Sequence, residues 1–197
     1  LSPSLTLQSD TGRSLNDGIT SNATVLVGRV EAGAAWEYST NAGASWTSGI
    51  SNTFGLAAGS YDPSQVVVRQ RDPSGNLSLT TANNRTWVVD ATAPQFLSSG
   101  ITASIAENSG ANQLIYTPQM AATEALTGNL IFYSLAGGAD ASLFSVDTFS
   151  GDVRLLVNPN YESQSSYDLI LRATDLAGLS ADPVSYTHLT LPTTPYV

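Results

Sequence analysis

The chain has 197 residues, with 16 acidic against 7 basic residues, a net charge of −9 and no Cys. All the basic residues are Arg, so a P-loop lysine and a Schiff base are excluded, and the lack of Cys excludes a thiol nucleophile, a disulfide and a Cys-based zinc site. The acidic balance argues against nucleic acid and anionic membrane as partners, because both need clustered Lys and Arg.

That length allows one large or two ordinary domains, each with a real core. No window approaches the roughly 18 consecutive apolar residues of a membrane span, so no membrane insertion is expected. Leu1-Ser2-Pro3 is not an initiator sequence, no segment resembles a signal peptide, and the sole Met, Met120, is internal. The chain is therefore expected to be a fragment of a longer polypeptide.

Helical periodicity is missing. Short runs of Val, Ile, Leu, Thr, Tyr and Trp alternate with Gly, Asn, Asp and Ser clusters, which predicts an all-β sandwich of short strands. In the first half these are residues 5–8, 24–30, 35–39, 45–47, 53–56, 65–71 and 85–89. Period-two alternation puts Trp36 and Tyr38 on one face, and likewise Val66 and Val68. Ser39-Thr40-Asn41-Ala42-Gly43 is hairpin material between Tyr38 and Trp46, with Asn41 and Gly43 suited to positive φ. Of Trp36, Trp46 and Trp87, alternation assigns two to the core.

Pro94 cannot continue a central ladder, so a boundary follows Val89-Asp90-Ala91-Thr92-Ala93-Pro94. The second half repeats the style over 102–105, 113–117, 130–135, 144–146, 152–156 and 167–173. The halves also echo one another. Arg69, Asp72 and Gly75 recur at one spacing as Arg172, Asp175 and Gly178, as an array of units of roughly 90 residues would show. The domains expected are 1–94, 95–184 and a separate tail, 185–197.

The stretch Val184-Ser185-Tyr186-Thr187-His188-Leu189-Thr190-Leu191-Pro192-Thr193 resembles one reading frame of a common transposase-type sequencing adaptor, so the tail is set aside from Ser185 onward. Such scars are set aside from fold arguments. Setting it aside removes His188, the only His, and with it a Ser-His-Asp triad or an imidazole metal ligand. Alternation places Tyr186, His188 and Thr190 on one face, so these residues suit a strand position whatever their origin. The second domain's own last strand is expected to begin near residues 181–184.

The first half resembles a bacterial immunoglobulin-like repeat of large surface adhesins. The resemblance rests on Asp10-Thr11-Gly12, Asp17-Gly18-Ile19-Thr20-Ser21-Asn22, Trp36-Glu37-Tyr38-Ser39-Thr40, Ala44-Ser45-Trp46, Val68-Arg69-Gln70, Asp72-Pro73-Ser74-Gly75-Asn76 and Val89-Asp90-Ala91-Thr92-Ala93-Pro94. The second half resembles a bacterial cadherin-like repeat, on Ile105-Ala106-Glu107-Asn108, Tyr133-Ser134-Leu135, Phe144-Ser145-Val146-Asp147, Ser150-Gly151-Asp152-Val153, Asn160-Tyr161-Glu162 and Ala173-Thr174-Asp175. The fold implied is two tandem Greek-key β-sandwiches, Ig-like then cadherin-like.

In cadherins the matching acidic positions bind Ca²⁺ at domain junctions. The resemblance carries that role to Glu107, Glu162 and Asp175. Asn160 stands where the family has Asp, and Glu124 alone stands for the family's pair of aspartates. An Ig-like sandwich brings the loop after its first strand to the exit linker, which adds Asp10, Asp17 and Asp90 at the junction. Calcium needs six to eight oxygens. The competing reading is that Asp and Asn occupy turns because their side chains bond local backbone.

The function these resemblances imply is a structural or adhesive repeat of a bacterial cell-surface or secreted adhesin, stiffened by Ca²⁺ and placed outside the cell. Its partners would be neighbouring repeats, with host-cell or surface glycans or proteins beyond them. No catalysis is expected: carboxylate pairs such as Asp147/Asp152 or Asp72/Asp90 are not singled out by any sequence feature. The alternative is a carbohydrate-binding or accessory module of a secreted glycoside hydrolase, which would need an exposed aromatic platform.

Overall fold

The computed structural model describes residues 1–98, 102–121, 125–128, 130–182 and 188–190. It divides into two compact units, the first with Leu1–Ala91 as its body and the second beginning at Thr92. Both are β-sandwiches, as the alternation predicts.

The first unit runs β1 (Ser4–Leu7), β2 (Ile19–Thr20), β3 (Thr24–Gly28), β4 (Ala35–Ser39), β5 (Thr47–Ser48), β6 (Thr53–Gly55), β7 (Gly59–Tyr61), β8 (Val67–Arg71), β9 (Thr81–Ala82) and β10 (Trp87–Val89). These pair in the orders β1-β3-β6, β2-β10-β7 and β5-β4-β8-β9. The neighbours are mostly non-consecutive, so loops must cross between sheets and enclose a core. Leu5, Val25, Val27, Trp36, Phe54, Leu56, Tyr61, Val66, Val68, Trp87 and Val89 fill it. Burial of each large side chain contributes about 1.5–3 kcal/mol. Tyr38 stacks on Phe54 with centroids 4.0 Å apart, and Trp36 tilts against both rings.

Two polar devices close this core. The Tyr61 hydroxyl donates to the Ala57 carbonyl at 2.9 Å, a tyrosine corner that turns Leu56-Ala57-Ala58-Gly59-Ser60-Tyr61 into β7. Burial pushes that phenol above its ordinary pKa. Asn83 is buried, accepts from the Val66 amide at 2.9 Å, and donates to the Asp62 and Arg85 carbonyls at 2.8 Å each.

The second unit runs β11 (Thr102–Ser104), β12 (Gln113–Tyr116), β13 (Phe132–Gly137), β14 (Phe144–Val146), β15 (Val153–Leu155), β16 (Ile170–Thr174), β17 (Ser180–Ala181) and β18 (His188–Thr190). The pairings are β12-β15-β14, β13-β16-β17 and β11-β18. Its core gathers Ile131, Tyr133, Phe144, Val153, Leu155, Tyr167, Leu169, Leu171 and Ala173. The Asp147 carboxylate caps the β14–β15 turn by accepting from the Ser150 amide at 2.8 Å and the Phe149 amide at 2.9 Å. β18, within the tail, lies parallel to β11 with Thr102 opposite His188. The alternation of that segment is enough to explain a strand there.

Candidate functional site

Asp10 and Asp17 lie on the loop that carries the chain from β1 to β2. One Asp10 oxygen, Oδ2, accepts from the Gly18 amide at 2.8 Å. The other, Oδ1, is buried with no hydrogen-bond partner among the described residues. Asp17 is exposed and turns its own loop, its Oδ1 accepting from the Ile19 amide at 3.0 Å. Asp90 is buried at the end of β10, where its amide donates to the Thr20 carbonyl at 2.9 Å.

The register corrects one expectation. β2 and β10 pair in parallel, Ile19 opposite Val88 and Thr20 opposite Val89. Asp17 therefore precedes the pair and Asp90 follows it, so the two stand at opposite ends rather than side by side. Sequence reasoning also missed what holds this loop. Thr20, fully buried, donates to the Ser9 carbonyl at 3.0 Å, the Thr11 hydroxyl accepts from the Ser21 amide at 2.7 Å, and the Asn22 amide group donates to the Ser9 hydroxyl at 2.8 Å. Short hydroxyl and amide side chains crowd the stretch 9–22, a legible sign of such bonding.

In the second unit the internal echo proves to be one shared turn. The Asp175 carboxylate accepts from the Leu179 amide at 2.9 Å while the Asp175 amide donates to the Leu179 carbonyl at 3.0 Å. Asp72 repeats both bonds with Asn76, at 2.8 and 3.0 Å. Gly75 and Gly178 sit at φ near +90°, at 90° and 88°, which is why Gly recurs there.

Chain segments bearing Glu107 and Asn160 are neighbours, tied by Asn108 donating to the Pro159 carbonyl and Gly110 to the Asn158 side chain, both at 2.8 Å. Asn160 is exposed and its Oδ1 accepts from the Glu162 amide at 3.0 Å, so it works as a local cap. Glu162 is exposed and Glu107 half-buried. Glu124 lies outside the described residues.

The ligand atoms are oxygens of the kind calcium takes, and Asp10 Oδ1 is a buried acceptor without a donor among the described residues. Yet among the described residues no three His, Cys, Asp or Glu side chains gather closely enough to hold a metal ion. Local turn chemistry accounts for Asp17, Asn160 and one oxygen of Asp175. It leaves Asp10 Oδ1 unexplained.

The three Trp residues do not make an exposed platform. Trp36 and Trp87 are buried, and Trp46 is half-buried beneath the Arg69 guanidinium, 3.8 Å from its ring centroid. Glu37 accepts from Arg69 and holds it there.

Comparison with known proteins bears on the second half. Residues 101–192 match the Cadherin domain family model. The match takes in part of the tail. Among curated relatives, the chain is 33% identical over 128 residues to human Protocadherin beta-1, covering 57% of this chain and 16% of that protein. It is 39% identical over 85 residues to the Drosophila melanogaster Protocadherin-like wing polarity protein stan, covering 42% of the chain and 2% of that protein. The chain thus spans a small part of these relatives, which are animal proteins. Among solved structures, the third cadherin domain of human protocadherin 7 aligns with TM-score 0.44 and 22% identity, over 52% of this chain and 92% of that one. Protocadherin Gamma B2 extracellular cadherin domains 3–6 align with TM-score 0.47 and 19% identity, over 96% and 49%. The family match thus supports a cadherin-type domain over residues 101–192.

Proposed function

We propose that the chain is a repeat segment of a large bacterial cell-surface or secreted adhesin, whose work is mechanical: spacing, stiffening and adhesion outside the cell. The observation that carries this reading is the Cadherin domain match over residues 101–192 in a chain built as two successive β-sandwich units. The resemblance of the first unit to bacterial Ig-like repeats supplies the bacterial context. Partners are neighbouring repeats and, further out, host-cell or surface glycans or proteins. Catalysis has no part in it.

Calcium belongs to the same proposal. The residues proposed as ligands are Asp10 and Asp90 in the first unit and Glu107, Glu124, Asn160, Glu162 and Asp175 in the second. Asp17, at the far end of the β2–β10 pair, is not carried among them. A bound cation would offset the mutual repulsion of carboxylates in a chain that has no Lys. The residues' own task is to present oxygens from turns already fixed by backbone bonds, as Asp10 and Asp175 do.

Small-angle X-ray scattering with millimolar calcium and with excess chelator tests the stiffening. The expected result is a narrower distribution of lengths with calcium, and superimposable profiles contradict it. The carbohydrate-binding alternative is tested by polysaccharide binding. Saturable binding lost in Trp46→Ala would favour it, since Trp46 is the least buried of the three Trp residues.

A further inference from the structure

Three Asn-x-Ser/Thr triplets occur in the chain, all in the first unit: Asn22-Ala23-Thr24, Asn76-Leu77-Ser78 and Asn84-Arg85-Thr86. Such a triplet accepts an N-linked sugar when its amide nitrogen and its hydroxyl can both enter a transferase. The fold commits the first two to other work. Asn22 Nδ2 donates to the Ser9 hydroxyl at 2.8 Å, its Oδ1 accepts from the Thr24 amide at 2.9 Å, and Ala23 packs on the core as the chain enters β3. Asn76 is exposed, but its Nδ2 and its backbone amide both donate to the Asp72 carboxylate at 2.8 Å. The Ser78 hydroxyl is also engaged, accepting from the Gln70 amide at 3.0 Å and donating to the Leu79 carbonyl at 2.9 Å.

The third triplet has no such duties. Asn84, Arg85 and Thr86 are consecutive exposed residues in the bend between β9 and β10, and the side chains of Asn84 and Thr86 make no hydrogen bond to a described residue. The bend itself is anchored from within: buried Asn83 donates to the Arg85 carbonyl at 2.8 Å, and Trp87, next along the chain, sits in the core. A bulky group on Asn84 therefore displaces none of the bonds that hold the loop. Asn84 also borders a groove of about 550 Å³ lined by Ser4, Thr6, Asp10, Leu15 and Thr81, which gives a first sugar room and polar neighbours.

We propose that Asn84 is an acceptor for N-linked glycosylation of the folded chain. Asn84 Nδ2 forms a bond to the anomeric carbon of a glycosyl diphosphate. The bond from that carbon to the phosphate oxygen breaks, the diphosphate leaves with the electron pair, and one Nδ2 proton passes to the transferase. That a transferase meets the chain in service rests on the extracellular reading above, whereas the selection of Asn84 by the fold does not.

The full chain, made without glycans, would be incubated folded with UDP-glucose and a soluble asparagine glucosyltransferase, and fragment mass spectra would locate the added hexose. Occupancy at Asn84 should exceed that at Asn22 and at Asn76 by at least about tenfold, because each of those must first give up hydrogen bonds. Peptides cut from the same chain, freed of the fold, should lose that preference. Thr86→Val, which removes the hydroxyl and keeps the branched shape, and Asn84→Gln should each abolish the main product. An unmodified Asn84 in the folded chain overturns the proposal, as does equal occupancy of the three triplets there. A tenfold preference already present in the peptides also overturns it, since the fold would then select nothing. If a variant does not fold, the site pattern in the parent chain decides alone. Failure of the extracellular reading would leave that pattern intact, so the two failures are distinguishable.

Discussion

Asn83 offers the sharpest test of how the first unit is held together. Its side chain takes the Val66 amide, where Val66 is 0% exposed, and gives its own hydrogens to Asp62 and Arg85 carbonyls. Asn83→Ala strands a fully buried N–H, at about 1–3 kcal/mol, and removes two further hydrogen bonds worth about 1 kcal/mol each at most, because Asp62 and Arg85 are exposed and water replaces the lost donor. The expected loss is about 2–4 kcal/mol.

Asn83→Asp separates chemistry from shape. It keeps the acceptor for Val66 but points a carboxylate oxygen at two carbonyls, so its folded pKa is raised above the unfolded value of about 3.9. The sign follows: this variant is least unstable below that value and loses stability as pH rises through its folded pKa. All three Trp residues lie within the first 91 positions, so Trp fluorescence in urea reports on this unit alone. Both variants within about 0.5 kcal/mol of the parent, or a pH-independent deficit in Asn83→Asp, would refute the assignment.

Other expectations follow from single contacts. A Cβ on Gly49 would lie 2.0 Å from the Trp36 ring, so Gly49→Ala should cost about 1–3 kcal/mol by overpacking, read as a lower urea midpoint. The Ser150 and Phe149 amides hold the Asp147 carboxylate below its ordinary pKa, and Arg172 does the same for Asp182. Their stabilisation is present above the unfolded value of about 3.9 and lost as pH falls through the lower folded values. Asp147→Asn keeps the acceptor and should flatten part of that acid limb, measured by circular dichroism, and an unaltered limb counts against the cap. Finally, genomic DNA of the source should diverge from the codons of residues 184–193, and uninterrupted genomic read-through would make the tail native.

The strands that sequence reasoning found are those with apolar alternation. β4 and β14 match residue for residue, and β3, β8, β12 and β16 lie within a few residues. The ones it missed, β2, β7 and β9, are two or three residues long and carry Thr, Ser or Gly, so their patterns are too short to count. Period two also understates β8: Val67 is buried along with Val66 and Val68, both faces there being covered. The site was less legible for a physical reason. Asp and Asn serve turns and calcium with the same oxygens, and the Asp72 and Asp175 turns show that backbone closure alone explains the shared motif. What the sequence could not show was the parallel register that separates Asp17 from Asp90, since that depends on partners nearly seventy positions apart.

Calcium is tested most directly by the unfolding temperature of the chain in millimolar calcium and again in excess chelator. A ligand that binds only the folded state at about 100 times its Kd adds about 2.7 kcal/mol. A clear upward shift with calcium is therefore expected, and it should shrink in Asp10→Asn, since Asp10 Oδ1 is buried with no hydrogen-bond partner among the described residues. Comparing each variant with itself, with and without calcium, removes any cost of the substitution alone. Coincident melts in the parent chain would contradict the account, leaving these carboxylates as turn-formers and the repeat as one that needs no metal.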